Sequence, residues 1–435
     1  MQKCDLLIEH ASALVKGDCV KENVDIAVKD GKILQAEEGI AGQYEAGEKI
    51  SGRGKLFMPG LIDSHMHTGQ QLLKGLVLDA KPIIWTRIML PFESTMTPER
   101  MTLSAQVAAL EMIKSGTTGF IDAGSYYMEE AAKVYAESGL RGALSFSTMD
   151  EEGLPESIAM DAGEAVRRTD SLYQGFHGTG NLKVYYSLRA LNSCSTKLAV
   201  MAWEHAREGK TMLQAHMNEY QGEIDGIIRR EGVRPYEYLE NLGILDEHFL
   251  GAHSLILSDR EMELLKERGV KVCHCPFSNC GKAVPDTPKL LEMGISVGLG
   301  TDGAAHGGLS LWNEMKIFRS VMNICRGVPQ KNPSIMPAAR ILTMILEGGS
   351  RALDEGENLG RLEAGKKADM ISVNMNQPHL TPTGNKINTL LECVNAGDVA
   401  DMIVDGRIIM RDRQVLTLDE ERILYEAARY QEKIR

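Results

Sequence analysis

Pro59-Gly60-Leu61-Ile62-Asp63-Ser64-His65-Met66-His67 closes an apolar, strand-prone run over 56–67 with two histidines two residues apart. Strand residues at that spacing share a face, so both imidazoles can point into one site at the strand's carboxyl end. Alone, a His-x-His among eleven histidines is more often incidental. Outward from it, seven further apolar or β-branched runs follow, at 117–123, 142–148, 182–188, 212–217, 249–254, 270–275 and 295–300. Amphipathic helical stretches separate them, the pattern of parallel βα units. Leu103, Val107, Leu110 and Ile113 predict an apolar helix stripe. Further helices are predicted over 196–207, 259–267, 311–322 and 337–346, each closed by Gly or polar breaks. Eight strands with eight crossovers close most naturally into an α/β (β/α)8 TIM barrel, here spanning 56–364. An open doubly wound sheet is the alternative.

The flanking segments read differently. Short strands at 5–8, 24–28 and 33–34 surround Asp30-Gly31, and the runs 368–373 and 400–409 surround Asp405-Gly406. Asp-Gly between apolar runs is a strong hairpin signal. A small β-sandwich domain built from both termini, 1–55 and 365–435, is the expected second unit. The chain has 435 residues and a formal charge of −12, with acidic and basic residues interleaved, so neither nucleic acid nor an acidic membrane is an expected partner. Eight scattered cysteines and a start without a basic, apolar leader suggest a cytoplasmic protein. No run approaches the eighteen apolar residues of a membrane span.

Three more candidates end later strands: His216 in Gln-Ala-His-Met-Asn-Glu219, His253 in Gly-Ala-His-Ser, and Asp302 in Gly-Leu-Gly-Thr-Asp-Gly. In a parallel barrel such positions converge on one mouth. Histidines with a carboxylate suit zinc, iron(II) or manganese with a position open to water, and the metal lowers that water's pKa toward neutrality. Glu219, three residues after His216 where the chain leaves its strand, is the candidate proton shuttle; a solvated loop glutamate is the alternative. Trp85 and Tyr126 are candidates to stack on a flat heterocycle, or else packing residues, and His306 is a candidate substrate contact or a loop histidine without a role. Cys273, Cys275 and Cys280 lack zinc-finger spacing, and the alternating cysteines around His274 fit a buried strand.

Pro59 to His67, His216 to Glu219, His253, His274-Cys-Pro-Phe-Ser-Asn279 and Gly300-Thr-Asp302-Gly together resemble the amidohydrolase superfamily. More narrowly they resemble its guanine deaminase, adenosylhomocysteine or methylthioadenosine deaminase, and triazine hydrolase branch. The resemblance extends to Gly365-Lys-Lys-Ala-Asp369 near the last strands. It implies that His65, His67, His216 and Asp302 bind one divalent metal, zinc first. It also implies that His253 sits over the attacking water or leaving group, that Glu219 carries a proton from water to a ring nitrogen, and that Asp302 passes the second proton to the departing amine. Binuclear relatives bridge two metals at the end of the fourth strand, where this chain has Tyr185-Tyr-Ser-Leu-Arg189; Lys183 stands near that strand's start, so one metal is expected. A homo-oligomer is a further implication.

The resemblance also bears on the substrate. The Gly-Pro-His-Ser-Pro-like stretch of the adenosylhomocysteine deaminases is absent, which argues against a nucleoside thioether. Arg189, six residues before Ser195, and Gln70, three after His67, stand at the spacing of the guanine deaminase pattern. A guanidinium fork and an amide suit a heterocycle's ring acceptors, while a loop-bracing arginine and a surface glutamine are the alternatives. The expected reaction is a metal-dependent hydrolytic deamination of a guanine-, pterin-, triazine- or cyclic-guanidine-like heterocycle. Deamination of adenosylhomocysteine or methylthioadenosine, and chloride release from a triazine, are the alternatives. Glu219 favours amine release, because ammonia departs well only when protonated. A non-enzymatic scaffold is disfavoured by the survival of every ligand.

Overall fold

The computed structural model describes residues 1–80 and 84–434. Five strands open the chain: β1 (Gln2–Lys16), β2 (Cys19–Lys29), β3 (Lys32–Glu38), β4 (Tyr44–Ser51) and β5 (Lys55–Pro59). The middle contributes β6 (Leu61–His67), β7 (Thr117–Asp122), β8 (Arg141–Leu144), β9 (Leu182–Val184), β10 (Tyr186–Leu188), β11 (Leu213–Met217), β12 (Phe249–His253), β13 (Lys271–His274), β14 (Val297–Leu299) and β15 (Asp302–Gly303). The end supplies β16 (Met370–Asn374), β17 (Val399–Val404), β18 (Arg407–Arg411) and β19 (Gln414–Val415).

Both ends of the chain share one nine-stranded sheet in the order β19-β18-β17-β16-β5-β1-β2-β3, with β4 beside β1. It is a single continuous ladder rather than two separately paired sheets. Its two Asp-Gly turns each have both residues at positive φ, with Asp30 at 50°, Gly31 at 75°, Asp405 at 51° and Gly406 at 76°. That conformation matches the twist of the flanking strands. The turns meet: Ala368 donates its N–H to Gly31 O at 2.8 Å, and Gly406 donates to Ala368 O at 3.1 Å.

The run 56–67 is not one strand. β5 pairs with β16, Met370 opposite Pro59, and with β1, Ser12 opposite Leu56, so it belongs to the sheet unit. Gly60 then redirects the chain: a Cβ there would lie 1.9 Å from Thr118 Oγ1. Buried on both faces, β5 and β6 read as one apolar stretch, which hides the break.

The centre is TIM-barrel-like α/β. Its strands form two five-stranded parallel sheets, β15-β6-β7-β8-β9 and β10-β11-β12-β13-β14. Tyr185 separates β9 from β10; its N–H donates to Leu144 O at 2.8 Å, whereas that of Tyr186 donates to Met212 O at 3.0 Å. β15 pairs with β6, Asp302 opposite Met66. Ile62, Ile121, Ala143, Tyr185, Met212, Leu250 and Cys273, from successive strand runs, form one buried apolar cluster that also takes in Cys275. These two cysteines therefore pack within the strand layer.

The helix Pro98–Ser115 covers the strands, capped by Thr97 and ended by left-handed Gly116. Its buried face carries Met101, Ala105, Ala108, Ala109 and Met112 as well as Leu110 and Ile113, while Leu103 and Val107 are only half-buried. The predicted stripe is thus offset, because alanines let the helix approach closely where larger residues would hold it off. Arg141 joins the two units through a bidentate, buried ion pair with Asp369, at 2.7 and 3.0 Å. Among the described residues no helix is long and apolar enough to cross a membrane.

Candidate active site

Parallel strands bring their carboxyl ends to one side, and there the predicted ligands meet. His65 and His67 end β6, His216 lies in β11, His253 ends β12 and Asp302 opens β15. His67 Nε2 lies 3.2 Å from His216 Nε2 and 3.4 Å from Asp302 Oδ1, and His65 Nε2 is 3.8 Å from the same oxygen. Close approach of the chain is required: a Cβ on Gly300 would lie 2.6 Å from His65 O. Asp302 and His253 both have left-handed backbones, φ 59° and 65°, a sparsely populated region that clusters at functional sites.

The cluster suits a cation. Burial lowers the pKa of His65 and His216 well below the usual imidazole value, so both rings present lone pairs. Among the described residues, neither ring nitrogen of buried His65 has a hydrogen-bond partner. Ligand atoms of His65, His67 and Asp302 all lie within 4.8 Å of one another, as do those of His65, His216 and His253. Buried polar atoms left without partners are costly, and a divalent ion among nitrogen and carboxylate donors removes that cost. Cys275, read from the sequence as a packing residue, also brings its sulfur within 4.8 Å of ligand atoms of His253 and Asp302, although burial holds its thiol well up and protonated. Lys183 is turned elsewhere, donating to Leu353 O and Asp354 O at 3.2 and 2.7 Å.

His253 Nδ1 lies 3.0 Å from Asn279 Oδ1. An amide oxygen there makes Nδ1 the donor and leaves Nε2 as an acceptor, 3.6 Å from Glu219 Oε1 and 3.9 Å from Asp302 Oδ2. Glu219 reaches the same space as His216 because Asn218 between them has φ 49°, turning the chain out of strand alternation. The Asn218 amide is anchored to Ile256 O and Glu261 Oε1 at 3.1 and 3.0 Å. Burial would raise the pKa of Glu219, but the net direction is down, with the Lys282 ammonium at its side holding the group charged. The sequence reading missed Lys282, whose Nζ donates to Glu219 Oε1 and to Ser278 Oγ, the latter at 2.6 Å.

A cavity of about 400 Å3 opens over the cluster. Gln70, Trp85, Arg189 and His306 all line it, with Ile84 and Met89 adding apolar surface. Tyr126 is not brought there: its ring packs in a buried cluster with Leu90, Phe146, Met149 and Ile158. Trp85 borders that cluster and lies 5.8 Å from the Arg189 guanidinium. A buried carboxylate beneath the cavity, Glu93, also escaped the sequence reading. It accepts from Gln70 Nε2 at 2.8 Å and from Arg189 Nη2 at 3.3 Å, fixing both side chains. Its only signal was an isolated charge in the apolar run Ile88-Met-Leu-Pro-Phe-Glu93.

The sequence matches the amidohydrolase family over residues 56–409. It is 34% identical to a 5'-deoxyadenosine deaminase of Methanosarcina mazei, aligning 99% of this chain with 98% of that protein. It is 33% identical to a 5-methylthioadenosine/S-adenosylhomocysteine deaminase of Desulforudis audaxviator, over 93% of each chain. Among solved structures, an adenosine deaminase from Xanthomonas campestris with bound zinc superposes with a TM-score of 0.93 at 24% identity, covering 100% of this chain and 99% of that one.

Proposed function

The chain belongs to the amidohydrolase family and is a metal-dependent hydrolytic deaminase acting on cyclic amidines, and from that premise we propose that its substrate is an adenine nucleoside without a 5'-phosphate. The observation that carries this reading is the wall of the cavity. Ile84, Trp85 and Met89 offer apolar surface to a base or an uncharged 5' group. The two cations described on that wall are already paired, Arg189 with Glu93 and Lys282 with Glu219, which disfavours a phosphate. The deoxyadenosine and methylthioadenosine deaminases it resembles act on such nucleosides by their names.

We read the two parallel sheets as one closed (β/α)8 barrel that starts at β6 rather than at residue 56 and runs to 364, supported by the split hydrogen bonding at Tyr185 and by the β15–β6 pairing. Residues 1–59, with β5, and 365–435 then form the second unit.

His65, His67, His216 and Asp302 would hold one divalent ion, zinc first, which when bound acidifies the attacking water. His253 orients that water through its acceptor Nε2. The water oxygen adds to the amidine carbon, and Glu219 takes one proton and delivers it to the neighbouring ring nitrogen. Asp302 passes the second proton to the amino group, the carbon–nitrogen bond breaks, and ammonia leaves a 6-oxopurine. Arg189 and Gln70, held by Glu93, meet the ring's polar edge, and Trp85 meets its face.

A free base such as guanine is the second reading, favoured by the presence of both Gln70 and Arg189 on the cavity wall. Ammonia release from 5'-deoxyadenosine, methylthioadenosine, adenosine, AMP, adenine and guanine separates the two. The nucleosides should exceed AMP and the bases by about tenfold or more in kcat/KM, the discrimination of a few well-placed contacts. Preference for guanine would overturn the nucleoside reading and leave the deaminase.

A further inference from the structure

Short segments after β13 deliver two groups to the candidate machinery. Ser278 donates its hydroxyl to Asp302 Oδ2 at 2.6 Å, and Lys282 sets its ammonium between Glu219 Oε1, Ser278 Oγ and Asp302 Oδ2, the last at 3.7 Å. The Lys282 side chain is 8% exposed and its ammonium lies 5.3 Å over the Tyr220 ring. Its backbone is fixed too, Lys282 N donating to Asn279 O at 2.9 Å. A cation so enclosed is expensive to desolvate unless its partners are held against it.

The Glu219 carboxylate depends on this contact. Among the described residues, Lys282 is the one donor with a hydrogen bond to it; His253 Nε2, 3.6 Å away, is an acceptor when Nδ1 donates to Asn279. Glutamate has three rotatable side-chain bonds, and this one stands on a loop. Without a fixed donor its carboxylate would sample several positions, and proton transfer demands one.

We propose that Lys282 is the positioning residue for Glu219: its ammonium clamps Oε1 so that the carboxylate is held between the water and the ring nitrogen. This rests on the reading of Glu219 as the proton carrier. Lys282 needs a donor N–H and a positive charge to act in this way, but no contact with substrate.

The test pairs Lys282 variants with Glu219→Gln in metal-loaded protein, with 5'-deoxyadenosine as the probe. Lys282→Met should lower kcat by about thirtyfold or more with KM changed less than about threefold, as expected for loss of orientation rather than of binding. Metal content by elemental analysis and thermal midpoint should stay near wild type. In Lys282→Ala, about 100 mM ethylammonium should restore kcat about tenfold or more, whereas tetramethylammonium, a cation with no N–H, should not. Rescue by ethylammonium alone is an outcome no structural role produces. Wild-type kcat in Lys282→Met, failure of rescue, equal rescue by both cations, or loss of metal would each overturn the proposal. Wild-type kcat in Glu219→Gln would instead remove the reading on which it rests.

Discussion

Replacing Glu219 by Gln probes the chemistry with the least disturbance to the fold. The two side chains are nearly isosteric, and a glutamine Oε1 can still accept from Lys282 while its amide faces His253 Nε2, which lies 3.6 Å from the present carboxylate. What is lost is the capacity to take up a proton. General acid–base groups contribute about 10²–10⁴ in rate, or roughly 3–5 kcal/mol at 1.36 kcal/mol per decade. In the proposed mechanism two proton movements use this carboxylate, so kcat should fall by about 10³, near the middle of that range. KM should change little. Glu219 lies outside the proposed ligand set, so metal content by elemental analysis should match wild type. The assay is ammonia release under saturating 5'-deoxyadenosine with metal measured in the same sample. A kcat within threefold of wild type would refute the shuttle role, and metal lost with activity would show that Glu219 is a ligand.

Removal of metal by a chelator should abolish turnover and lower the thermal midpoint, because an ion bound only by the native state stabilises it; zinc should restore both. Turnover by metal-free protein would refute this. Arg141→Met leaves buried Asp369 unpaired and should cost about 3–5 kcal/mol in urea unfolding, whereas Arg141→Met with Asp369→Leu should recover most of it. Equal losses in single and double variants would deny the pair its role. Glu223, buried and accepting from the N–H groups of Asn218 and Glu219, has its pKa pushed up to about 8, by burial first. A carboxyl raised in the folded state stabilises the fold fully below its unfolded pKa and loses that contribution as pH rises toward the folded value. Glu223→Gln should therefore gain thermal midpoint relative to wild type between pH 5 and pH 8; a constant difference across that window would contradict the shift.

How far this molecule could be read from its sequence depends on whether a residue's direction follows from periodicity. His65 and His67 are two apart on β6, and His216 falls near the carboxyl end of a parallel strand, so period two and common strand direction bring them together. The two Asp-Gly turns carry a conformational requirement that the sequence states outright. Where small residues replace large ones the signal weakens: alanines bury the helix Pro98–Ser115 on a face offset from the Leu103 and Val107 side. Tyr126 was ambiguous because aromatic rings serve packing and stacking equally well, and the Phe146 and Met149 that claim it come from another strand run.

The side chains that complete the site stand at or just beyond the strand ends, and their direction is set by single backbone torsions. Asn218, His253 and Asp302 all have left-handed φ, at 49°, 65° and 59°. Asn, Asp and His tolerate that region without requiring it, so their presence marks a permitted turn and not an actual one. At Asn218 the turn is secured from outside the local sequence, by Ile256 O and Glu261, and it is this turn that aims Glu219 at the histidines. Lys282 and Glu93 follow the same logic. Each is a charge in a connecting segment whose partners, Glu219 for one and Gln70 and Arg189 for the other, are remote in sequence. A buried charge persists only where such partners converge on it. The candidate metal ligands on β6 and β11 are thus legible from strand periodicity, whereas the groups around the proposed proton carrier and recognition pair become visible only when loops from different strands are brought together.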